Sequence, residues 1–236
     1  MVLKTSAQKI EDEWRHEIKF ISETSHLVEI ETWIARSDAL FRPTYPPRRI
    51  NNIYFDTLDL LAFDENLSGA SSRTKVRLRW YGVEISPINP VLEIKHRKNN
   101  LGLKTLIPLK GRVDLKGRSW NSVVGTVRAQ LSRTEKIWLE DFSYPAIINR
   151  YDRKYFESAD GALRLTVDSG QAVYDQTRSV GPNLMNKINQ PDTIVIELKF
   201  FPNHRLMASN IVQDIPLRRS RNSKYSNGVN AIYYQN

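Results

Sequence analysis

Basic and apolar side chains alternate along two neighbouring stretches of the chain, 73–80 and 92–97. Because successive side chains of a β-strand point to opposite faces, each stretch predicts a strand with one charged face and one apolar face. A turn rich in Gly, Ser, Pro and Asn joins the two and predicts a hairpin. The charged positions of this hairpin are Arg73, Lys75, Arg77, Arg79, Glu93, Lys95 and Arg97. Like charges that face each other across strands destabilise a sheet, so this face is either a solvated surface or one that binds a polyanion.

The overall composition also indicates an anionic partner. The 236 residues include 35 Lys and Arg against 26 Asp and Glu, which gives a formal charge of +9 and favours nucleic acid, an acidic membrane surface or a phosphate compound. The lack of cysteine excludes disulfides and thiolate chemistry. No apolar run approaches the roughly 20 residues of a spanning helix, and the first 14 residues lack a signal-peptide core. We therefore expect a cytoplasmic protein with one domain over 1–236, of which 1–13 form a polar leader.

Hydrophobic periodicity predicts eight strands with covering helices, which is an α+β fold that is mainly β, and at least six of the strands have an apolar face and a charged face. The predicted strands are 15–20, 50–56, 73–80, 92–97, 103–109, 146–157, 162–168 and 193–200, and the predicted helices are 25–40, 57–66, 116–140 and 204–212. Stretches 42–47 and 178–192 are predicted loops because Pro, Gly and Asn are frequent there. Closing the sheet with its charged faces inward would leave an apolar exterior for the helices and remove the strand edges. The expected result is a basic tunnel.

The charged faces of these strands account for the excess charge of the whole chain. Their basic members are Arg15, Lys19, Arg73, Lys75, Arg77, Arg79, Lys95, Arg97, Lys104, Arg153, Arg164, Lys199 and Lys224, and their acidic members are Glu17, Glu93, Asp168 and Glu197. Two cations 4 Å apart repel by about 4 kcal/mol at an effective dielectric constant near 20, so a bound polyanion would offset the field. A chain of phosphates suits Arg forks and Lys point charges. A lone Glu among them is either an ion-pair partner or a ligand for Mg²⁺ or Mn²⁺.

Other nucleotide and nucleic-acid sites find less support in the sequence. No Gly-x-Gly-x-x-Gly or Walker A loop occurs, which argues against a P-loop site. The four histidines show no metal-ligand spacing. Tyr and Trp interleaved with Arg are compatible with an RNA-binding sheet, but no RNP-type motif is present. Nucleic-acid binding therefore ranks below phosphate binding.

Six short motifs together resemble the VTC domain, the polyphosphate polymerase type of the triphosphate tunnel metalloenzymes in the CYTH-like superfamily. They occur in the family's order over nearly the whole chain: Val-Arg-Leu-Arg-Trp-Tyr-Gly at 76–82, Leu-Glu-Ile-Lys-His-Arg at 92–97, Tyr-Asp-Arg at 151–153, Leu-Arg-Leu-Thr-Val-Asp at 163–168, Val-Ile-Glu-Leu-Lys-Phe at 195–200 and Ser-Lys-Tyr at 223–225. The resemblance implies a closed antiparallel eight-stranded β-barrel with helices packed outside, whose interior binds ATP and Mn²⁺ or Mg²⁺. In such domains the γ-phosphoryl group of ATP is transferred to growing inorganic polyphosphate, and ADP is released.

The resemblance also implies roles for individual residues. The phosphate-binding set is Lys19, Arg77, Arg79, Lys95, Arg97, Lys104, Arg153, Arg164, Lys199 and Lys224. Glu197 is the principal metal ligand, with Glu17 and Glu93 as further candidates, and the catalytic set is Glu197, Arg77, Arg79 and Lys95. Polymer export would need another chain, for example a membrane protein, whose identity the sequence does not give.

The first strand departs from one branch of the superfamily. Hydrolytic members of the CYTH type begin with Glu-x-Glu-x-Lys, whereas this chain has Arg15, Glu17 and Lys19. Hydrolysis requires an oriented water, but a terminal phosphate is already an anionic nucleophile and needs only neutralisation and in-line placement. The departure favours transfer to phosphate. A triphosphatase or tripolyphosphatase of the same fold, and a non-catalytic polyphosphate or nucleotide sensor, remain as alternatives.

Overall fold

The structure, a computed structural model, describes residues 16–98 and 101–233. Within them it confirms the mainly-β α+β class, with eight strands and six helices. The strands are β1 (His16–Glu23), β2 (Arg42–Asp56), β3 (Ser72–Tyr81), β4 (Val91–Lys98), β5 (Leu101–Pro108), β6 (Tyr144–Glu157), β7 (Leu163–Asp175) and β8 (Thr193–Phe200). The helices are α1 (Leu27–Arg36), α2 (Leu61–Leu67), α3 (Trp120–Ala129), α4 (Arg133–Asp141), α5 (Arg205–Asp214) and α6 (Lys224–Tyr233). No helix in this described part is long and apolar enough to cross a membrane.

The eight strands form one antiparallel sheet, but the predicted closed barrel is wrong. The strand order is β1-β8-β7-β6-β2-β3-β4-β5, so β1 and β5 are its two ends. Closure would require these two end strands to pair. Instead, the other edge of β1 is used by a later segment, since Phe20 forms a bridge with Arg219 and Ser220 donates its N–H to the Lys19 carbonyl. The prediction that all strand edges are removed fails for the same reason.

The described chain forms two compact units, each made from three separate stretches. The first contains residues 16–48, 151–171 and 191–222, and its core joins the apolar faces of β1, β7 and β8 to α1 and α5. In α1, Ile30 and Ile34 lie four residues apart and are both buried, as expected for one face of a helix. Their strand neighbours include Phe20 and Ile196, which face each other in the β1–β8 ladder.

The second unit contains the described residues of stretches 49–150, 172–190 and 223–233. One of its cores lies beneath β3, β4 and β5, where Val76, Leu78, Leu92 and Ile94 pack with residues of α3 and α4. The opposite face of the strands carries the charged residues. A second core joins α2 and α6 around Tyr54 and other buried side chains. The prediction of one domain over 1–236 stays a prediction.

Three local predictions differ from the structure. The Pro-rich stretch 42–47, predicted as a loop, forms the beginning of β2. Residues 116–140, predicted as one helix, contain two, because Ser132 and Glu135 form a capping box that starts α4. Strand β7 continues beyond Asp168 to Asp175 and passes through Gly170, which has a φ of 60°.

Candidate functional site

The charged strand faces form one cluster in each unit. In the first unit, the cluster contains four side chains whose charges alternate between negative and positive. Lys19 Nζ lies 2.9 Å from Glu17 Oε1 and 3.4 Å from Glu197 Oε1. Lys199 Nζ lies 3.3 Å from Glu17 Oε2 and 3.1 Å from Glu197 Oε2. We call these four residues the glutamate–lysine ring. The ladder register produces it, since Glu17 faces Lys199 and Lys19 faces Glu197 across β1 and β8.

Arg153 joins this ring from β6. Its Nη2 lies 3.5 Å from Glu197 Oε2, and its Nε and Nη2 donate to the two oxygens of Asp168 at 2.5 and 2.6 Å. This bidentate contact fixes the plane of the guanidinium group. Asp168 is fully buried as the partner of Arg153.

The ring stabilises the charged state of Lys19. Burial by itself lowers the pKa of this ammonium group, but the charges of Glu197 and Glu17 outweigh burial and raise the pKa above its ordinary value. The three cations Lys19, Lys199 and Arg153 are matched by Glu17, Glu197 and Asp168. The cluster of the first unit is therefore electrically balanced, which the summed charge of the sequence does not reveal.

The cluster of the second unit is strongly positive. Arg77 Nη2 lies 2.7 Å from Glu93 Oε1, Arg79 Nη1 lies 3.3 Å from Glu93 Oε2, and Lys104 Nζ lies 3.3 Å from Glu93 Oε1. We call these four residues the Glu93 cluster. Glu93 is 3% exposed, and the side chains of Arg77 and Arg79 are 18% and 13% exposed. One buried carboxylate thus holds three cations on one sheet face.

The strand β2 orients the two arginines of the Glu93 cluster. Arg77 Nη1 donates to the Tyr54 hydroxyl at 2.7 Å, and Arg79 Nε donates to Asn52 Oδ1 at 3.0 Å. Asn52 is fully buried and donates to Asn149 at 2.8 Å. Tyr54 and Asn52 face Arg77 and Arg79 in the ladder register. These neutral partners fix the guanidinium groups without cancelling their charge.

A row of three lysines crosses β3, β4 and β5 and shares Lys104 with the Glu93 cluster. Lys75 faces Lys95, and Lys95 faces Lys104, in the two ladders. Arg73 and Arg97 face each other two residues further along the hairpin. We call Lys75, Lys95 and Lys104 the lysine row. Like charges directly opposite on neighbouring strands are destabilising, so this row favours a face that binds an anion over an ordinary surface.

The first residue of the lysine row contacts the start of α6. Lys75 Nζ donates to Asn66 Oδ1 at 2.7 Å and to Ser223 Oγ at 2.8 Å. Ser223 also accepts the Ser226 N–H at 3.2 Å, which is the geometry of a helix N-cap. Lys224 begins α6 and is partly buried. The motif at 223–225 therefore brings a further basic residue into the second unit's charged region.

The helix α6 is held by a buried carboxylate. Asp56 accepts N–H groups of Thr57, Ala62 and Phe63 and the hydroxyl of Tyr225. Burial raises the pKa of Asp56 even against these four donors. The pKa of Tyr225 is raised as well, by burial and by the nearby Asp56 charge. This pair connects the N-terminus of α2 to α6.

Most predicted site residues belong to these clusters. Glu17, Lys19, Arg153, Glu197 and Lys199 meet in the first unit, and Arg77, Arg79, Glu93, Lys95, Lys104, Arg97 and Lys224 lie in the second. Arg164 faces Lys199 in the ladder, but its side chain is 55% exposed and contacts Glu157. Arg15 lies outside the described residues.

Several polar residues of these clusters were not predicted. Asn52, Tyr54, Asn66 and Ser223 all contact basic side chains of the second unit. The alternation Asn52-Ile53-Tyr54-Phe55 was a usable signal for the first two, because it places an Asn and a Tyr on one strand face. Asn66 and Ser223 had no such signal, since their contacts depend on how α2 and α6 pack.

A divalent cation would find different surroundings at the three candidate glutamates. In the described part of the chain, no three His, Cys, Asp or Glu side chains form a metal-binding group. Mg²⁺ is usually held by one or two carboxylates together with substrate phosphates. Glu17 and Glu197, which share both lysines of the ring, fit such a pair. Glu93, in the second unit, contacts Arg77, Arg79 and Lys104 and does not belong to that pair.

Comparison with known proteins identifies the family. No curated protein matches the chain significantly. Among solved structures, the chain is similar to the PH1819 protein from Pyrococcus horikoshii OT3, with 11% identity, a TM-score of 0.43 and coverage of 91% of this chain and 94% of that chain. It is also similar to a Vibrio parahaemolyticus protein described as a "putative adenylate cyclase", with 10% identity, a TM-score of 0.48 and coverage of 89% and 95%. A chain of the Schizosaccharomyces pombe Mediator head module shows 11% identity, a TM-score of 0.36 and coverage of 84% and 90%. The VTC domain family matches residues 14–233, and the chain therefore belongs to this family.

Proposed function

We propose that the chain is a metal-dependent polyphosphate polymerase that transfers the γ-phosphoryl group of ATP onto a growing inorganic polyphosphate. The observation that carries the proposal is the positive face of the second unit, where the lysine row adjoins the Glu93 cluster. Membership of the VTC domain family supports the same reading. ATP and inorganic polyphosphate are the proposed partners, and a cytoplasmic location remains a prediction.

The face of the second unit suits a chain of phosphates better than a single phosphate. Strands lie about 4.8 Å apart, so the backbone positions of the three lysines in the lysine row repeat at a spacing that several linked phosphates can follow. Arg77 and Arg79 add planar forks that bind phosphate oxygens in pairs. We assign phosphate binding to these residues, with Arg97 and Lys224 extending the basic region.

The proposed reaction requires no general base. An oxygen of the terminal phosphate of the acceptor forms a bond to the γ-phosphorus, the bond from that phosphorus to the bridging oxygen of ATP breaks, and ADP leaves. Arg77, Arg79 and Lys95 would neutralise the phosphate charge and hold the oxygens in line, which is the main catalytic requirement of phosphoryl transfer.

We propose Glu197, with Glu17, as the ligands of Mn²⁺ or Mg²⁺ in the first unit. When bound, the cation supplies charge neutralisation to phosphate oxygens. Lys19 and Lys199 contact both carboxylates, so they hold the oxygens together before any ligand binds. Arg153, fixed by Asp168, adds a donor beside Glu197.

Incubation of the purified protein with ATP and Mn²⁺ tests the proposal. We expect ADP and a polymer that stains on a gel, and Glu197→Gln should abolish turnover while binding of ATP is retained. Arg77→Ala should weaken phosphate binding itself. Lys110→Met is a matched control for a lost positive charge, because Lys110 is exposed and lies after the end of β5.

Two results would point to the alternatives of the same fold. Release of phosphate without polymer would replace the polymerase by a triphosphatase or tripolyphosphatase. Salt-sensitive binding without turnover, under Mn²⁺ and under Mg²⁺, would indicate a sensor, since a site made of ion pairs loses affinity as salt screens them.

A further inference from the structure

Thr166 lies on the charged face of β7, directly beside the glutamate–lysine ring. It faces Glu197 in the β7–β8 ladder, and Glu197 faces Lys19 in the β1–β8 ladder. Directly opposed residues place their Cβ atoms about 4.5–5.5 Å apart. The threonine side chain therefore stands next to the carboxylate that Lys19 and Lys199 contact.

The hydroxyl of Thr166 has no hydrogen-bond partner among the described residues, although the residue is only 8% exposed. The charged neighbours differ in this respect, since Glu197 is contacted by three cations and Asp168 by Arg153. A buried hydroxyl without a partner costs about 1–3 kcal/mol, and valine has nearly the same shape without that cost. Packing alone does not explain a hydroxyl at this position.

The groups around Thr166 define the chemistry of the missing partner. The direct neighbour Glu197 accepts hydrogen bonds but is already contacted by Lys19, Lys199 and Arg153, which can only donate. The threonine O–H can donate as well. An oxygen that accepts from all of them would satisfy the hydroxyl. A metal-bound water is chiefly a donor, so it suits this set of groups less well than an anionic phosphate oxygen does.

We infer that Thr166 is a phosphate-binding residue whose hydroxyl donates to an oxygen of the bound phosphate chain. The inference deepens the proposed function and rests on it, because it takes a polyphosphate as the ligand. It assigns to β7 a neutral donor in addition to the basic residues of the first unit.

Calorimetric titration with tripolyphosphate tests the inference with wild type, Thr166→Val and Thr166→Ser, first in EDTA and then with Mn²⁺. We expect Thr166→Val to bind about tenfold more weakly in both conditions, whereas Thr166→Ser stays within about threefold of wild type. Urea unfolding without ligand should find the valine variant no less stable than wild type, because it removes an unsatisfied group. Thr105→Val, an exposed strand threonine opposite Ile94, is the matched control.

Four outcomes would overturn the inference. Equal binding by wild type and Thr166→Val would reject it while leaving the proposed function intact. A loss of affinity only in the presence of Mn²⁺ would assign the hydroxyl to the hydration shell of the metal instead. A clearly less stable valine variant in urea would show a structural hydroxyl. Failure of the wild type itself to bind tripolyphosphate would contradict the proposed function as well.

Discussion

Replacement of Glu93 by Gln tests whether the positive face of the second unit is built for an anion. The change removes one buried negative charge and leaves Arg77, Arg79 and Lys104 near one another. At contact distances of 2.7–3.3 Å, each attraction is about 5–6 kcal/mol at an effective dielectric constant near 20. The contribution of Lys104 is smaller, because its side chain is 46% exposed and water screens it.

Most of this attraction offsets the cost of burying the charges. Loss of one partner from a buried ion pair typically destabilises a protein by about 3–5 kcal/mol, and we expect a value in this range for Glu93→Gln without ligand. Tripolyphosphate should restore much of the loss, because it neutralises the same cations. A ligand at one hundred times its dissociation constant adds about 2.7 kcal/mol to the free energy of unfolding. Tripolyphosphate should also bind the variant more tightly than it binds wild type.

Urea unfolding with and without tripolyphosphate measures both effects. The reasoning is refuted if the variant unfolds within about 0.5 kcal/mol of wild type without ligand, as substitutions at ordinary surface sites do. It is refuted equally if the ligand stabilises both proteins by the same amount. Glu157→Gln is the matched control, because Glu157 pairs with an exposed arginine.

The pH dependence of the stability of wild type and Glu93→Gln provides a second test. Burial alone would raise the pKa of Glu93, but Arg77, Arg79 and Lys104 outweigh it and lower the pKa far below the ordinary 4.5. A carboxylate whose pKa is lowered in the folded state stabilises the fold at pH values above its pKa in the unfolded chain. This stabilisation is lost as the pH falls below about 4.5. Wild type should lose stability in this acidic range, and Glu93→Gln should lack that component.

Three further predictions concern the neighbours of these groups. Asn52→Ala should weaken tripolyphosphate binding about tenfold by releasing Arg79, and calorimetry that finds unchanged affinity would contradict this. Burial lowers the pKa of Lys104, and Arg79 and Arg77 lower it further although Glu93 opposes them. As the pH rises, this ammonium group should therefore lose its proton, and phosphate affinity should fall, before the ordinary pKa of 10.5 is reached. Lys104→Arg should abolish that fall, and an identical pH profile would exclude Lys104 as its source. Tyr225→Phe should destabilise the fold by about 1–3 kcal/mol because the buried Asp56 loses one of its four donors, and an unchanged thermal midpoint would argue against this.

Alternation in the sequence predicted the strands and their charged faces because each of those strands has one wet face and one apolar face. It placed Arg77 and Arg79 on one side and Leu78 on the other, as the structure shows. It failed for 42–47, where Pro signals a break. Those residues are exposed, so the strand tolerates prolines there although proline has no N–H group to donate to the sheet.

The sequence could not predict which side chains contact each other within each cluster, because these contacts depend on strand register and helix packing. The motif at 92–97 indicates that Glu93 accompanies cations, but only the β3–β4 ladder places it opposite Arg77. Helix α6 was missed, since Ser, Asn and Gly weaken its helical signal. Its spacing of Tyr225, Val229 and Ile232 on one face was available as a clue.

The hydrogen bond between Tyr225 and Asp56 joins positions 169 residues apart. A nascent chain that has formed β2 and β3 therefore still lacks the partner of a buried carboxylate and the serine that receives the Lys75 ammonium group. Contacts of such long sequence separation close large loops and slow folding. The cationic face of the second unit is thus expected to assume its final geometry late in folding, when α6 docks.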